Sequence, residues 1–141
     1  SDSGLACHLL GIDTQAELAK SPFLGALFEG LIATEIVKSQ LEAGARQEIY
    51  HFRDEQGLEV DLVVPGRSGE LRLIECKASR TVTPSDAAPM LKLADALKKK
   101  RRGRVSVRME VVHRPANAGA VTTAIAPGVR AMGWEEFASA L

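Results

Sequence analysis

A layered α/β domain is what this sequence predicts, and three observations carry that reading. Between residues 58 and 78 two apolar runs flank the turn Pro65-Gly66-Arg67-Ser68-Gly69, which reads as an antiparallel β-hairpin. A long apolar-periodic segment before the hairpin and a second, basic-ended one after it read as helices. A valine-rich alternating run follows the second helix, giving the order helix, three strands, helix, strand, then a short C-terminal extension. With 141 residues the chain suffices for one domain, burying about 70% of its unfolded surface.

Residues 1–12 bring Leu5, Ala6, Leu9, Leu10 and Ile12 without a helix-start signal. Residues 1–20 are therefore expected to be a lead-in segment from a longer parent protein, and 21–141 the folded domain. Ser21-Pro22 predicts a helix start, serine at the N-cap and proline in the first turn, and Gly44 predicts the stop. The apolar stripe of that helix, expected over 22–43, is Leu24, Leu27, Phe28, Leu31, Ile32 and Ile36. At about 100° per residue, Glu35 falls about 20° from Phe28, within the stripe, and Glu29 about 100° from it, at the margin. A glutamate is seldom buried without a partner. Either one looks back toward the sheet, Glu35 being the more central, or pairs with Lys38 or Arg46.

The alternating residues 49–53 predict the first strand, closed by a turn at 54–57, and 58–64 and 71–78 the two hairpin strands. Thr83-Pro84-Ser85-Asp86 leads into a helix over 87–100 with Pro89 in its first turn. Residues 104–113 read as a strand with Val105, Val107, Met109 and Val111 on one face. A weaker strand or two is expected within 119–134, interrupted by Pro127-Gly128, then a short helix over 135–141 anchored by Trp134 and Phe137.

Composition narrows the function classes. A hydrophobic fraction of 45% and a charged fraction of 26% are ordinary for a globular domain. No apolar stretch approaches the roughly 20 residues that cross a bilayer, so no membrane partner is expected. Cys7 and Cys76 follow neither zinc nor disulfide spacing, which points to reduced thiols in the cytoplasm. No GxxxxGK[ST] loop is present, which excludes nucleotide hydrolysis by that route. His8, His51 and His113 lie in separate elements and read as structural residues. Lys98, Lys99, Lys100, Arg101, Arg102 and Arg104 concentrate six of the 18 basic residues and leave the remainder net acidic. Such a run engages phosphates in a salt-dependent way, or serves as a solvated helix end.

Asp61, Glu75 and Lys77 interrupt the two hairpin strands with charge. Alternation puts Glu75 and Lys77 on one face, and Asp61 meets them from the neighbouring strand if the register allows. Charges inside strand cores are costly unless paired or bound to metal, so two carboxylates beside an ammonium suggest a divalent-cation site. The alternative is an Asp61–Lys77 salt bridge at a sheet edge, with Glu75 in solvent.

G-A-L-F-E-G-L-I-A-T-E-I-V-K at 25–38, Y-H-F-R-D at 50–54, G-L-E-V-D-L-V-V at 57–64 and L-I-E-C-K-A-S at 73–79 together resemble the PD-(D/E)XK nuclease superfamily. More narrowly, they resemble the uncharacterised domain found C-terminal to AAA-type ATPase domains in bacteria and archaea. The resemblance implies a restriction-endonuclease-like core, a mixed central sheet flanked by helices. It makes Asp61 and Glu75 metal-binding carboxylates and the Cys76 carbonyl a further ligand. It gives Lys77 the attacking water or the phosphate charge, and Glu29 the role of first-helix acid, with Glu35 as competitor. Val60 stands where the motif's name has proline. The implied cofactor is Mg²⁺ or Mn²⁺; the implied partners are DNA, cut at its phosphodiester bonds, and an ATPase domain of the same parent chain. A catalytically silent DNA- or protein-binding accessory domain is the alternative function.

Overall fold

The computed structural model describes residues 3–101, 104–115 and 122–141. Its centre is a six-stranded mixed sheet in the order β1-β2-β3-β4-β6-β5. The strands are β1 (Tyr50–Arg53), β2 (Glu59–Pro65), β3 (Glu70–Lys77), β4 (Ser106–His113), β5 (Thr123–Ala126) and β6 (Val129–Gly133). β2 and β3 form the expected antiparallel hairpin, in register from Leu62 opposite Ile74 to Pro65 opposite Leu71. β3–β4 and β4–β6 are parallel, while β1–β2 and β5–β6 are antiparallel. Parallel neighbours need a long crossover. Between β3 and β4 it is helix α4 (Ala88–Lys100), entered through a 3₁₀ turn at Pro84–Ala87.

Side-chain alternation sends β3 into two cores. Leu73 joins Met90, Leu93, Met109 and Val111 beneath α4, and Ile74 joins Phe28, Ile32, Ile36, Val112 and Phe137 on the opposite face. The second layer comprises α3 (Leu24–Glu42) and α5 (Trp134–Ser139). Each fully buried aliphatic side chain contributes roughly 1.5–3 kcal/mol of transfer free energy.

β2 is irregular at the position that matters. Val60 and Leu62 would share a face in a regular strand, yet Val60 lies in the α4 core and Leu62 in the α3 core. The β1–β2 register slips there, from Phe52 opposite Val60 to Tyr50 opposite Val63, so β2 carries one extra residue around Asp61. Bulges of this kind re-aim a side chain.

Helix α3 stops as expected. Gly44 has φ +61°, its N–H meets the Leu41 carbonyl at 3.0 Å, and the Ala45 N–H meets the Gln40 carbonyl at 2.8 Å. This pairing is the Schellman stop, and the positive φ favours glycine. The start differs from expectation, at Leu24 rather than Pro22. Ser21 is already used as the C-cap of α2 (Gln15–Lys20), donating its N–H to the Leu18 carbonyl at 3.1 Å. Ser21-Pro22 is therefore the turn between two helices. The region expected as a lead-in holds α1 (Ser3–Leu9) as well as α2, and both pack on α3. No helix among the described residues is long and apolar enough to cross a membrane.

Candidate functional site

Two carboxylates and a lysine meet where β2 begins and β3 ends. Glu75 is 7% exposed, although β3 is an interior strand with no solvent face to spare. Lys77 Nζ donates to Glu75 Oε1 at 2.8 Å and lies 3.9 Å from Asp86. The other oxygen, Glu75 Oε2, is buried with no hydrogen-bond partner among the described residues. The hairpin register stops at Leu62–Ile74, and Asp61 is tied to the end of β3 by its side chain. Asp61 Oδ2 accepts the backbone N–H of Cys76 at 2.7 Å. His51 Nδ1 lies 3.2 Å from the Asp61 carbonyl oxygen, which only accepts, so that nitrogen carries the hydrogen. The Asp61–Lys77 edge pair with Glu75 in solvent does not describe this arrangement: Glu75 is buried and is the close partner of Lys77.

The electrostatics reflect crowded negative charge. Burial raises the Glu75 carboxyl above its usual range, with Asp61 and Asp86 adding to the rise and the Lys77 hydrogen bond opposing it. Burial also raises Glu29, and the Asp61 charge pushes the same way. Burial alone would pull Lys77 down, but the Glu75 hydrogen bond and the charges of Glu75, Asp61 and Asp86 outweigh it and raise Lys77. Lys77 is therefore an ammonium here, suited to stabilising negative charge. Burial, then Asp61, Glu29 and Glu75, push the Cys76 thiol up as well, leaving it neutral. A neutral thiol is a poor metal ligand, so any contribution from Cys76 rests on its backbone carbonyl.

Among the described residues no three His, Cys, Asp or Glu side chains converge as a ready metal cage. The donors at hand are oxygens: Asp61, Glu75 and backbone carbonyls. Hard oxygen ligands with room for water suit Mg²⁺ or Mn²⁺, and the unpartnered Glu75 Oε2 is the atom such a cation would satisfy.

The two glutamates of α3 part company. Glu29 lies close enough to Asp61, His51 and Glu59 for their charges to act on it. Glu35 turns to Lys38, with Lys38 Nζ donating to Glu35 Oε1 at 2.7 Å, so the position favoured by the helical stripe is not the one brought to Asp61. That stripe mixes two surfaces. Phe28, Ile32 and Ile36 face the sheet, whereas Leu24, Leu27 and Leu31 line a cavity with α1 and α2. Centred on Ile32, the sheet-facing line leaves both glutamates about 60° to either side, and helical phase alone does not choose between them.

This geometry can be set beside known proteins. The chain matches the family model described as "Domain of unknown function (DUF4143)" over residues 24–124. It belongs to the DUF4143 family. That stretch contains Glu29, Asp61, Glu75 and Lys77 of this DUF4143 domain. Two mycobacterial relatives are each 37% identical over 89 residues: Uncharacterized protein Rv2008c of Mycobacterium tuberculosis and Uncharacterized protein Mb2031c of Mycobacterium bovis. Each match covers 63% of this chain but 19% of the relative, so the chain spans only a small part of the proteins it resembles. No solved structure matches it at a significant level.

The basic run lies elsewhere in the DUF4143 domain. Lys100, Arg101 and Arg104 line a hollow with Pro65, Gly69 and Glu70, at the start of β3, while Glu75 and Lys77 are at its end. At about 3.3 Å per residue, β3 separates Glu70 from Lys77 by about 23 Å. Lys99 pairs with Asp95 at 2.7 Å within α4, Lys98 is exposed near its last turn, and Arg102 lies outside the described residues.

Two site neighbours escaped the sequence reading. His113 ends β4 directly beside Lys77, and its Nδ1 is buried without a partner among the described residues. Burial holds its imidazole below the usual range, hence neutral. Only the parallel β3–β4 register reveals that adjacency. Asp86, near Lys77, accepts the Thr83 N–H at 2.7 Å. Its T-x-x-D spacing was a readable capping signal.

Proposed function

We propose that this DUF4143 domain is a divalent-metal-dependent phosphodiesterase of the PD-(D/E)XK type that hydrolyses DNA. The observation that carries the reading is Glu75 Oε2, a buried carboxylate oxygen beside Asp61 without a partner among the described residues. Asp61, Glu75 and the Cys76 carbonyl would hold Mg²⁺ or Mn²⁺. Bound there, the cation would supply Lewis-acid polarisation of the phosphate and acidify a neighbouring water. Lys77, kept protonated by Glu75, would donate to a non-bridging phosphate oxygen as charge builds on it. Glu29 would orient the attacking water from the α3 side. Water would attack phosphorus as the P–O bond to the leaving strand breaks, and the proton the water loses would pass through solvent to the leaving oxygen. The α-β-β-β-α-β order with a mixed sheet supports the same reading, as does the E-V-D and E-C-K pattern. An AAA-type ATPase module on the parent chain, in the cytoplasm, belongs to this proposal through the resemblance of residues 1–79, and the greater length of the relatives leaves room for one.

The test is cleavage of labelled single-stranded, flapped and duplex DNA with Mg²⁺ or Mn²⁺. Parent-chain activity lost in both Asp61→Ala and Lys77→Ala is expected. Equal activity in all three proteins would contradict the proposal.

A second reading, a binding module without turnover, is favoured by one observation: the basic run sits at the pole of the sheet away from Asp61. It predicts salt-sensitive DNA binding without cleavage under any metal. Alanines at Lys98, Lys99, Lys100 and Arg101 would then weaken binding across all sequences and flatten its salt dependence.

A further inference from the structure

Where the parallel strands end, two arginines have no visible employment. Arg80 follows β3 and Arg114 follows β4 directly, and among the described residues neither guanidinium has a hydrogen-bond or ion-pair partner. Arg114 is half-buried, and an unpaired cation drawn partly out of water is unfavourable until an anion meets it. Both arginines line a cavity of about 740 Å³. Its walls include Leu24, Leu27 and Leu31 of α3 and Trp134, the first residue of α5. That volume lies within the range of about 300–1,000 Å³ common for small-ligand sites. The cavity therefore joins an apolar wall containing one indole to two unneutralised guanidiniums. The basic hollow at the other pole differs, because a carboxylate, Glu70, lines it.

Position adds to chemistry. Open α/β sheets bind ligands in the crevice beyond the carboxyl ends of their parallel strands. Arg80 and Arg114 stand at that end, three residues past Lys77 and one past His113. A ligand held there would lie beyond the strand ends that carry Lys77 and His113. It must present anionic groups to the arginines and a flat, weakly polar body to the leucines and the indole. One nucleotide unit meets both demands, with its base in the cavity and its phosphates outside.

We propose that the cavity walled by α1, α2 and α3 and by Trp134 seats an unpaired nucleotide of a single-stranded nucleic acid, its base against Trp134 and its backbone phosphates on Arg80 and Arg114. The proposal rests on the phosphodiesterase reading only in naming that enzyme's substrate class, an unpaired strand or flap. Intact duplex does not fit without flipping a base out of its stack. Arg80 and Arg114, rather than the run at 98–104, then hold the backbone of the bound strand.

Trp134 is the only tryptophan in the chain, so indole fluorescence reports on this cavity alone. The experiment titrates the full chain, with chelator present to prevent turnover. The probes are a short oligothymidylate, an abasic deoxyribose-phosphate oligomer of equal length, a blunt duplex and dodecanoate. Saturable change of Trp134 emission by oligothymidylate is expected, with the abasic oligomer binding about tenfold or more weaker. Arg80→Ala/Arg114→Ala should weaken oligothymidylate binding by about tenfold or more. It should also reduce the log–log salt slope by about 1.4, for two single-strand phosphate contacts at about 0.7 each. The proposal is overturned if oligothymidylate leaves Trp134 emission unchanged, if the double variant binds as tightly as the parent, or if dodecanoate alone fills the cavity. Asp61→Ala tests the catalytic assignment separately, through cleavage. If that variant still cleaves DNA, the catalytic assignment fails while this one stands.

Discussion

Two buried glutamates on adjacent strands of one sheet meet opposite fates. Glu110 of β4 is 1% exposed and fully satisfied: Arg72 donates to Oε2 through Nε at 3.1 Å and Nη2 at 2.8 Å, and Arg130 donates to Oε1 at 3.0 Å. Arg72 is itself fixed, its guanidinium 5.3 Å from the centre of the Phe137 ring. Glu75 of β3 is nearly as buried, yet among the described residues one oxygen has Lys77 alone and the other has no partner, with Asp61 and Asp86 adding repulsion. A buried carboxylate with all its acceptors filled is a structural tie. One left partly unsatisfied among like charges costs stability, and such a cost is expected where a site awaits a ligand. The lesson is to ask of a buried charge which atoms remain unpaired.

Substitutions can break or sharpen that contrast. The largest effect should come from Asp61→Ala and Lys77→Ala, each lowering metal-dependent cleavage by about 10²–10³-fold or more. Melting near that of the parent is expected of Asp61→Ala, whereas Lys77→Ala also removes the partner of buried Glu75 and melts lower. Comparable losses of melting temperature and activity in Asp61→Ala would make the site a structural tie like Glu110. Next, Glu110→Gln should destabilise by about 3 kcal/mol, because two arginines then face a neutral amide in the sheet. Chemical denaturation measures this, and an unchanged midpoint would remove the structural half of the comparison. Third, Glu29→Gln should lower cleavage about tenfold, whereas Glu35→Gln, which removes an ion pair with Lys38 away from Asp61, should stay within about twofold.

The smallest effect is a gain. In metal-free protein the Glu75 carboxyl is raised above its unfolded value, so its favourable contribution is present below the unfolded pKa and is lost as pH rises through the folded one. Glu75→Gln should therefore match the parent in acid and be more stable by up to about 1 kcal/mol at neutral pH. Thermal melts in chelator at the two pH values measure the difference. A neutral-pH loss as large as that of Glu110→Gln would erase the distinction between the two residues.

Much of this was legible in the sequence because strand patterns are local. The hairpin, its turn and the charged interruptions at Asp61, Glu75 and Lys77 follow from period-two alternation around Pro65-Gly66, and Gly44 marked the end of α3. What depended on distant pairing was hidden. The bulge at Asp61 arises from how β1 meets β2. Arg72, Glu110 and Arg130 converge only through the parallel β3–β4–β6 ladder, as do Lys77 and His113. Glu29 could not be separated from Glu35 while leucines facing α1 and α2 were counted with the sheet-facing stripe. The Thr14–Glu17 capping box that starts α2 was readable, because T-x-x-E is written in the chain.

The central claim is that Glu75 with Asp61 forms a cation site, and Mn²⁺ titration calorimetry tests it without any choice of nucleic-acid substrate. Saturable binding by the parent chain, lost in both Asp61→Ala and Glu75→Gln and kept in folded Glu110→Gln, is the predicted result. Equal Mn²⁺ binding in all four proteins, or none in the parent even with oligothymidylate added to supply phosphate ligands, would contradict it.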